Sequence, residues 1–175
     1  MEMKRLILSI AAALVVVAGS ARVRPRSNVT MSTTLGAGLT MGAEWAFAGQ
    51  ASVVARAGMI SRYWSLTNSF GSFQWSASMV PGVTVEPRYY LLMNWRKQHG
   101  KYTYGNSAEF IGVPVTVTLD KTGKYLGEFA VTPVLGIRRA FAKHWFHEFT
   151  AGAELLFYPA RVVSPHVGYR FGILF

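Results

Sequence analysis

The chain has 175 residues, 51% of them apolar, a formal net charge of +10 and no cysteine. That length fits one domain rather than two, and the absence of thiols excludes a disulfide framework or a cysteine-based metal or redox site. A basic balance often marks a nucleic-acid partner, but here the basic side chains stand singly along the chain rather than in clusters, which argues against one.

Met1 to Ala21 reads as a short basic stretch at Lys4 and Arg5, an apolar run from Leu6 to Ala18, then small residues. This is the layout of a secretory signal peptide, cleaved after Ser20 or Ala21, and the apolar run is shorter than the roughly 20 residues of a membrane-spanning helix. The expected organisation is a removed signal over residues 1–21 and one domain over 22–175. The mature part keeps sixteen basic and seven acidic side chains, a balance of +9. Beyond residue 21 no uninterrupted apolar stretch reaches the length of a membrane helix, so the high apolar content is dispersed as alternation.

Period-two alternation then recurs in segments of about ten residues. A short strand is predicted over Asn28 to Leu35, and the next over Leu39 to Phe47 with Leu39, Met41, Ala43 and Trp45 on one face. After a turn at Gly49-Gln50, Ala51 to Tyr63 places Val53, Ala55, Ala57 and Met59 together. Leu66 to Gly82 reads as a long loop. Val83 to Trp95 is the clearest strand, with every odd position apolar against Thr84, Glu86, Arg88, Tyr90, Leu92 and Asn94. Arg96 to Asn106 is an unusually long turn, which implies either strand extension or a hairpin missing from the count. Ala108 to Leu119, Phe129 to Phe141, Phe149 to Phe157 and Pro165 to Phe175 complete eight strands, with loops at Asp120 to Glu128 and Pro159 to Ser164. A short echo, Ala46-Phe47-Ala48 before Ala57-Gly58 and Ala140-Phe141-Ala142 before Ala151-Gly152, suggests two equivalent hairpins, the second turning at Lys143 to Trp145.

The last segment alternates Val167, Tyr169, Phe171, Ile173 and Phe175 with His166, Gly168, Arg170 and Gly172. A strand with one greasy and one polar face, ending on an aromatic, resembles the closing strand of bacterial outer-membrane β-barrels. The resemblance implies that Tyr169, Phe171 and Phe175 form the signal read by the outer-membrane assembly machinery. Glu86 to Tyr90 (EPRYY), Gly100-Lys101, Asn106-Ser107 and Gly136-Ile137-Arg138-Arg139 are similar to the small eight-stranded outer-membrane barrels of the Bacteroidota type, the OmpA/OmpX-like transmembrane barrels. That likeness implies an all-β, antiparallel up-and-down transmembrane barrel in the outer membrane of a Gram-negative cell, with both termini periplasmic, and it implies nothing about activity. Its acidic neighbours are then phosphate-bearing outer-membrane lipid and lipopolysaccharide, with a membrane-protein partner beside it.

The polar face collects Glu44, Glu86, Glu148 and Glu154 against Arg56, Arg62, Arg88, Arg138 and Arg170. An eight-stranded lumen is only wide enough for side chains to fill, so these charges are expected to pair into a structural plug; the alternative is a gate in which pairs switch partners and pass ions. The glycines at 42, 58, 112, 136, 152, 168 and 172 fall mainly on the same face, making room for the Arg and Glu heads. In the long outer loop, Phe70, Phe73 and Trp75 are candidates for contact with the rim or a partner.

A lipid-modifying enzyme is the reading from a different class, and it needs a nucleophile, a base and an orienting acid within reach. Ser164 with His166, and His147 with Glu148, are the candidates; His144 and His147 beside Trp145 also suit an interfacial belt. The four scattered histidines make no metal set, no cofactor is expected, and the chain reads as non-catalytic. Asn28-Val29-Thr30 is a glycosylation sequon without meaning in a bacterium, and Gly36-Ala37-Gly38 lacks the Lys-Ser/Thr and helix of a phosphate loop.

Overall fold

The computed structural model describes residues 25–34, 38–48, 50–69, 72–120, 122, 125–159 and 161–175; for 34, 47–48, 61–69 and 72–78 only the backbone is described. The signal segment expected over 1–21 and Phe70 lie outside the described residues, as do the side chains of Arg62, Phe73 and Trp75.

Ten strands form in chain order: β1 (Asn28–Thr34), β2 (Leu39–Ala48), β3 (Ala51–Ser69), β4 (Ser72–Tyr90), β5 (Glu109–Gly112), β6 (Val115–Leu119), β7 (Leu126–Val131), β8 (Val134–Phe141), β9 (Trp145–Tyr158) and β10 (Val162–Leu174). All pairings are antiparallel, and β10 returns to β1 through Thr30↔Leu174 to Thr34↔Arg170, which closes the sheet. Two of the wall strands are each broken once. β5 and β6 both pair with β4, and β7 and β8 both pair with β9, so the barrel has eight strands.

The breaks fall at Val113-Pro114 and Thr132-Pro133, where proline supplies no N–H to a ladder. Neighbouring strands bridge the gap: the Thr132 N–H donates to the Pro114 carbonyl (2.8 Å) and the Val113 N–H to the Pro87 carbonyl (3.1 Å). The strands predicted over Ala108 to Leu119 and Phe129 to Phe141 are therefore each interrupted, and the second starts earlier than predicted, at Leu126, within the segment read as a loop.

The alternation sorts the faces as the sequence predicts. Leu39, Met41, Trp45, Met59, Val83, Val85, Ile111, Val117, Leu135, Ile137 and Val167 are exposed on the outside. Glu44, Arg56, Glu86, Arg88, Arg138, Glu148 and Thr150 are buried inside. Charged and polar side chains thus occupy the middle of the barrel's interior, and apolar ones cover much of its outside.

Three expectations are corrected. Residues 66–69 and 72–82, read as parts of a loop, are strand: β3 and β4 stay paired from Ser65↔Ser76 to Ser69↔Ser72, while β2 leaves β3 at Met59 and β6 leaves β4 at Gly82. Polar residues on both faces hid a two-stranded ribbon that projects beyond the wall. The strand expected over Val83 to Trp95 stops at Tyr90, because ladder pairing ends at Tyr90↔Phe110. Leu91 and Leu92 are both exposed in the bend that follows, so Leu92 does not face inward and Leu91 sits at the end of the wall. Residues 96–106 are neither strand nor a missing hairpin: a short helix α1 (Met93–Gln98) and a 3-10 turn (Tyr104–Asn106) connect β4 to β5.

That connection lies at the end where β1 begins and β10 finishes, here the proximal end. The β2–β3 and β8–β9 hairpins also turn there, the latter through Ala142 and Lys143 in the left-handed region (φ 47° and 67°), with Trp145 already in β9. Tyr90, Met93, Ala108, Phe110 and Val134 form one buried apolar cluster, and Ala140, Phe146 and Leu174 a second. Asn106 ties the chain's first described residues down, accepting from the Arg26 N–H (2.8 Å) and donating to the Arg26 carbonyl (2.9 Å).

Glycine on the inner face has a steric reason at specific positions. A Cβ at Gly112 would lie 2.6 Å from a Glu86 carboxylate oxygen, and one at Gly136 would enter the Phe110 ring. Gly136→Ala is expected to cost about 1 to 3 kcal/mol in equilibrium urea unfolding, as overpacking does, and Phe110→Leu added to it should recover part of the loss. A Gly136→Ala barrel as stable as its parent contradicts this packing.

Candidate functional site

The inward positions of four strands, β3, β4, β9 and β10, assemble a chain of alternating charge: Arg56, Glu86, Arg88, Glu148, Arg170. Arg88 sits at its centre with every guanidinium nitrogen engaged. Nε donates to Glu86 Oε1 (2.6 Å), Nη1 to Glu148 Oε2 (2.7 Å), and Nη2 to both Glu86 Oε2 (3.0 Å) and Glu148 Oε1 (2.8 Å). Arg56 Nη2 pairs with Glu86 Oε2 on one side, and Arg170 Nη1 with Glu148 Oε1 (2.8 Å) on the other. Period two explains the membership, since Glu86 and Arg88 are neighbours on one face of β4, and Glu148↔Arg170 and Glu148↔Arg138 are direct cross-strand pairs.

A second cluster surrounds Glu44. Its Oε1 accepts from Ser52 Oγ (2.7 Å) and Tyr90 OH (2.6 Å), and its Oε2 from Arg138 Nη1 (2.9 Å). Glu44, Glu86, Arg88 and Glu148 are each 1% exposed. Ions so desolvated persist only when paired and hydrogen-bonded, and here each carboxylate has at least three donors. Aromatic faces complete the shell toward the proximal end: Arg88 Cζ lies 4.1 Å from the Phe110 ring centroid and Arg138 Cζ 4.3 Å from that of Phe146. Arg138 Nε has no acceptor among the described residues, so the ring is its neighbour instead.

A pocket among these ions, lined by Glu44, Arg88, Arg138, Glu148 and Arg170, holds about 10 Å³, at most the room of a single water. Distal to the network the lumen opens into a cavity of about 370 Å³. Arg56, Glu86 and Arg170 lie on its network side, and its wall includes Thr40, Thr84, Thr116, Thr132, Thr150, Glu154 and His166.

Seven of the nine sequence-predicted network residues meet in these two clusters. Glu154 lines the cavity instead, and the Arg62 side chain lies outside the described residues. Tyr90 and Ser52, which complete the Glu44 site, were not singled out; Tyr90's even position beside Glu86 and Arg88 was the available signal. Glu109 was also missed: Arg139 Nη2 pairs with it and Arg96 Nη1 lies 3.7 Å away, fastening α1 to the wall.

One of the two catalytic candidate pairs separates. His147 and Glu148 are adjacent in β9 and point to opposite faces: His147 stands outside between Phe141 (6.0 Å) and Tyr169 (6.4 Å), while Glu148 is inside. They form no dyad. Ser164 and His166 share a face of β10, where His166 Nε2 is 3.5 Å from Thr150 Oγ1. Among the described residues no group of three His, Asp or Glu could hold a metal ion. Tyr169 and Phe175 are exposed on the outside, and Phe171 stacks on Trp145 (5.1 Å). Comparison of the chain with protein families, curated proteins and solved structures finds no match.

Glu86→Ala leaves Arg56 without its carboxylate and Arg88 with half of its partners, so the barrel should lose about 3 to 5 kcal/mol. Urea unfolding followed by the gel shift of folded against unfolded barrel measures it. A loss below about 1 kcal/mol contradicts a fixed network.

Proposed function

We propose that this protein is an integral outer-membrane barrel, non-catalytic, sealed at its proximal half by ionic side chains, and acting as a structural or interaction element. The observation that carries the reading is a closed barrel turned inside out, apolar outside and charged within, since only a closed sheet satisfies every backbone group in lipid.

The distribution of outward residues adds to it. Trp45, Trp95, Phe141 and Trp145 are exposed at the proximal end. Tyr125, Phe157 and Tyr158 are exposed at the distal end, where Phe129 packs on Phe157 (5.8 Å). Between them the exposed side chains are mainly aliphatic, among them Met31, Met41, Met59, Val83, Val85 and Val117. Trp145 and Phe157 are twelve residues apart on β9, about 40 Å of strand and, at a tilt of about 40°, about 30 Å of axis. That separation matches aromatic girdles on either side of a hydrocarbon layer.

In this reading the proximal end faces the periplasm, and the lipid and lipopolysaccharide phosphates are the acidic neighbours of a basic chain. The β3–β4 ribbon beyond the wall, whose outer edges pair with no other described strand, is the part suited to a membrane-protein or extracellular partner. The exposed face of Tyr169, Phe171 and Phe175 serves the assembly machinery. A gated channel is less well supported, because the space among the ions admits no file of water.

Arginine placed on the outer face should read membrane depth. Val85→Arg, in the middle of the β4 wall, is expected to cost about 2 to 4 kcal/mol in vesicles, and Leu91→Arg, at the proximal end, about 0 to 1 kcal/mol. Equal costs, or a barrel that folds and stays monomeric without lipid or detergent, contradict a membrane location. Phe171→Ala should lower the amount of assembled barrel in cells while leaving detergent refolding nearly unchanged; normal assembly contradicts the recognition role.

A further inference from the structure

The two ends of the ion chain differ from its centre. Arg88 uses all three guanidinium nitrogens, whereas among the described residues Arg56 makes one side-chain hydrogen bond and Arg170 one, each from a single nitrogen. A guanidinium carries five N–H donors, so both cations keep unused donors, and both line the 370 Å³ cavity. The alternating order also leaves the chain one positive charge in excess, with three arginines against Glu86 and Glu148, and the cations stand at its ends. Arg56 is 7% exposed and Arg170 20%, so both guanidiniums are largely withdrawn from bulk solvent.

We propose that this cavity binds a small water-soluble organic phosphate, its phosphate held between Arg56 and Arg170 and its hydroxyl-bearing part against the threonine wall. Two guanidinium forks facing one space suit a tetrahedral oxyanion, which accepts several charge-assisted hydrogen bonds at once. The size agrees with a ligand larger than the bare ion, since the cavity has room for about twelve waters and falls in the range of small-molecule sites. Thr40, Thr116 and Thr150 are already tied into the wall, Thr40 and Thr150 donating to the Ser32 and Gly168 carbonyls (3.4 Å each) and Thr116 sharing a hydrogen bond with Thr84 (3.0 Å), so their oxygens face a ligand as fixed acceptors, a surface matched to the hydroxyls of a sugar or polyol. Two carboxylates share the wall with the arginines: Glu86 is held by Arg88 and Arg56, and Glu154 is not without a partner of its own, so neither stands as a free charge against the anion. The site belongs to the lumen, and it holds whether or not the barrel lies in a membrane.

The test is calorimetric titration of the folded barrel in a maltoside detergent with glucose 6-phosphate, inorganic phosphate, glucose and a short-chain phosphatidic acid. Glucose 6-phosphate is expected to bind at one site, inorganic phosphate more weakly, and glucose not measurably. Arg56→Gln and Arg170→Gln should each weaken glucose 6-phosphate at least tenfold; both leave Glu86 and Glu148 paired with Arg88, so the fold is retained. Thr132→Phe, which fills the cavity without removing charge, should abolish binding in a barrel that still shows the folded gel mobility. Absence of saturable binding to the folded parent, undiminished binding in both arginine variants, equal binding of glucose, or binding of the phosphatidic acid alone would each overturn the proposal.

Discussion

Three carboxylates, Glu44, Glu86 and Glu148, are held almost without solvent inside a tube eight strands wide, and the rest of the structure is arranged around keeping them ionised there. A buried ion pair gains stability only when geometry and extra hydrogen bonds offset the loss of water. Arg88 provides that geometry by clamping two carboxylates at once, and Tyr90, Ser52 and Arg138 provide it for Glu44. Glycine at 112 follows from the space a Glu86 oxygen occupies, and glycine at 42 from the Arg56 stem, which a Cβ would approach to 2.7 Å. At these two positions the ions dictate where the wall has no side chain.

The same constraint divides the lumen. Toward the proximal end the network is backed by Phe110, Phe146 and two apolar clusters, and the α1 segment, tied to the wall through Glu109, lies at that end. Toward the distal end, among the described residues, threonines line an open space. The result is a cup rather than a pipe.

The faces were legible because period two is a local property: whichever way β2, β8 or β10 is paired, Met41, Ile137 and Val167 fall opposite Gly42, Arg138 and Arg170. The same rule separates His147 from Glu148, adjacent residues that cannot share a face of an extended strand. Which arginine meets which glutamate was not legible, since Arg138 and Glu44 are 94 residues apart and meet only through the stagger of a closed sheet. Helix α1 was hidden because six residues carry no amphipathic period, and Leu92 before it offers no capping side chain. The ribbon was hidden because strands that leave the wall lose the one-sided burial that writes alternation into sequence.

The central claim is that the ionic network closes the lumen of an intact barrel. Single-channel recording on the unmodified protein in planar bilayers tests it most directly, with insertion verified by protease protection on both sides. The space of about 10 Å³ among Glu44, Arg88, Arg138 and Glu148 predicts a silent membrane across low and high salt. Discrete, reproducible ion-conducting openings from the folded barrel would contradict it.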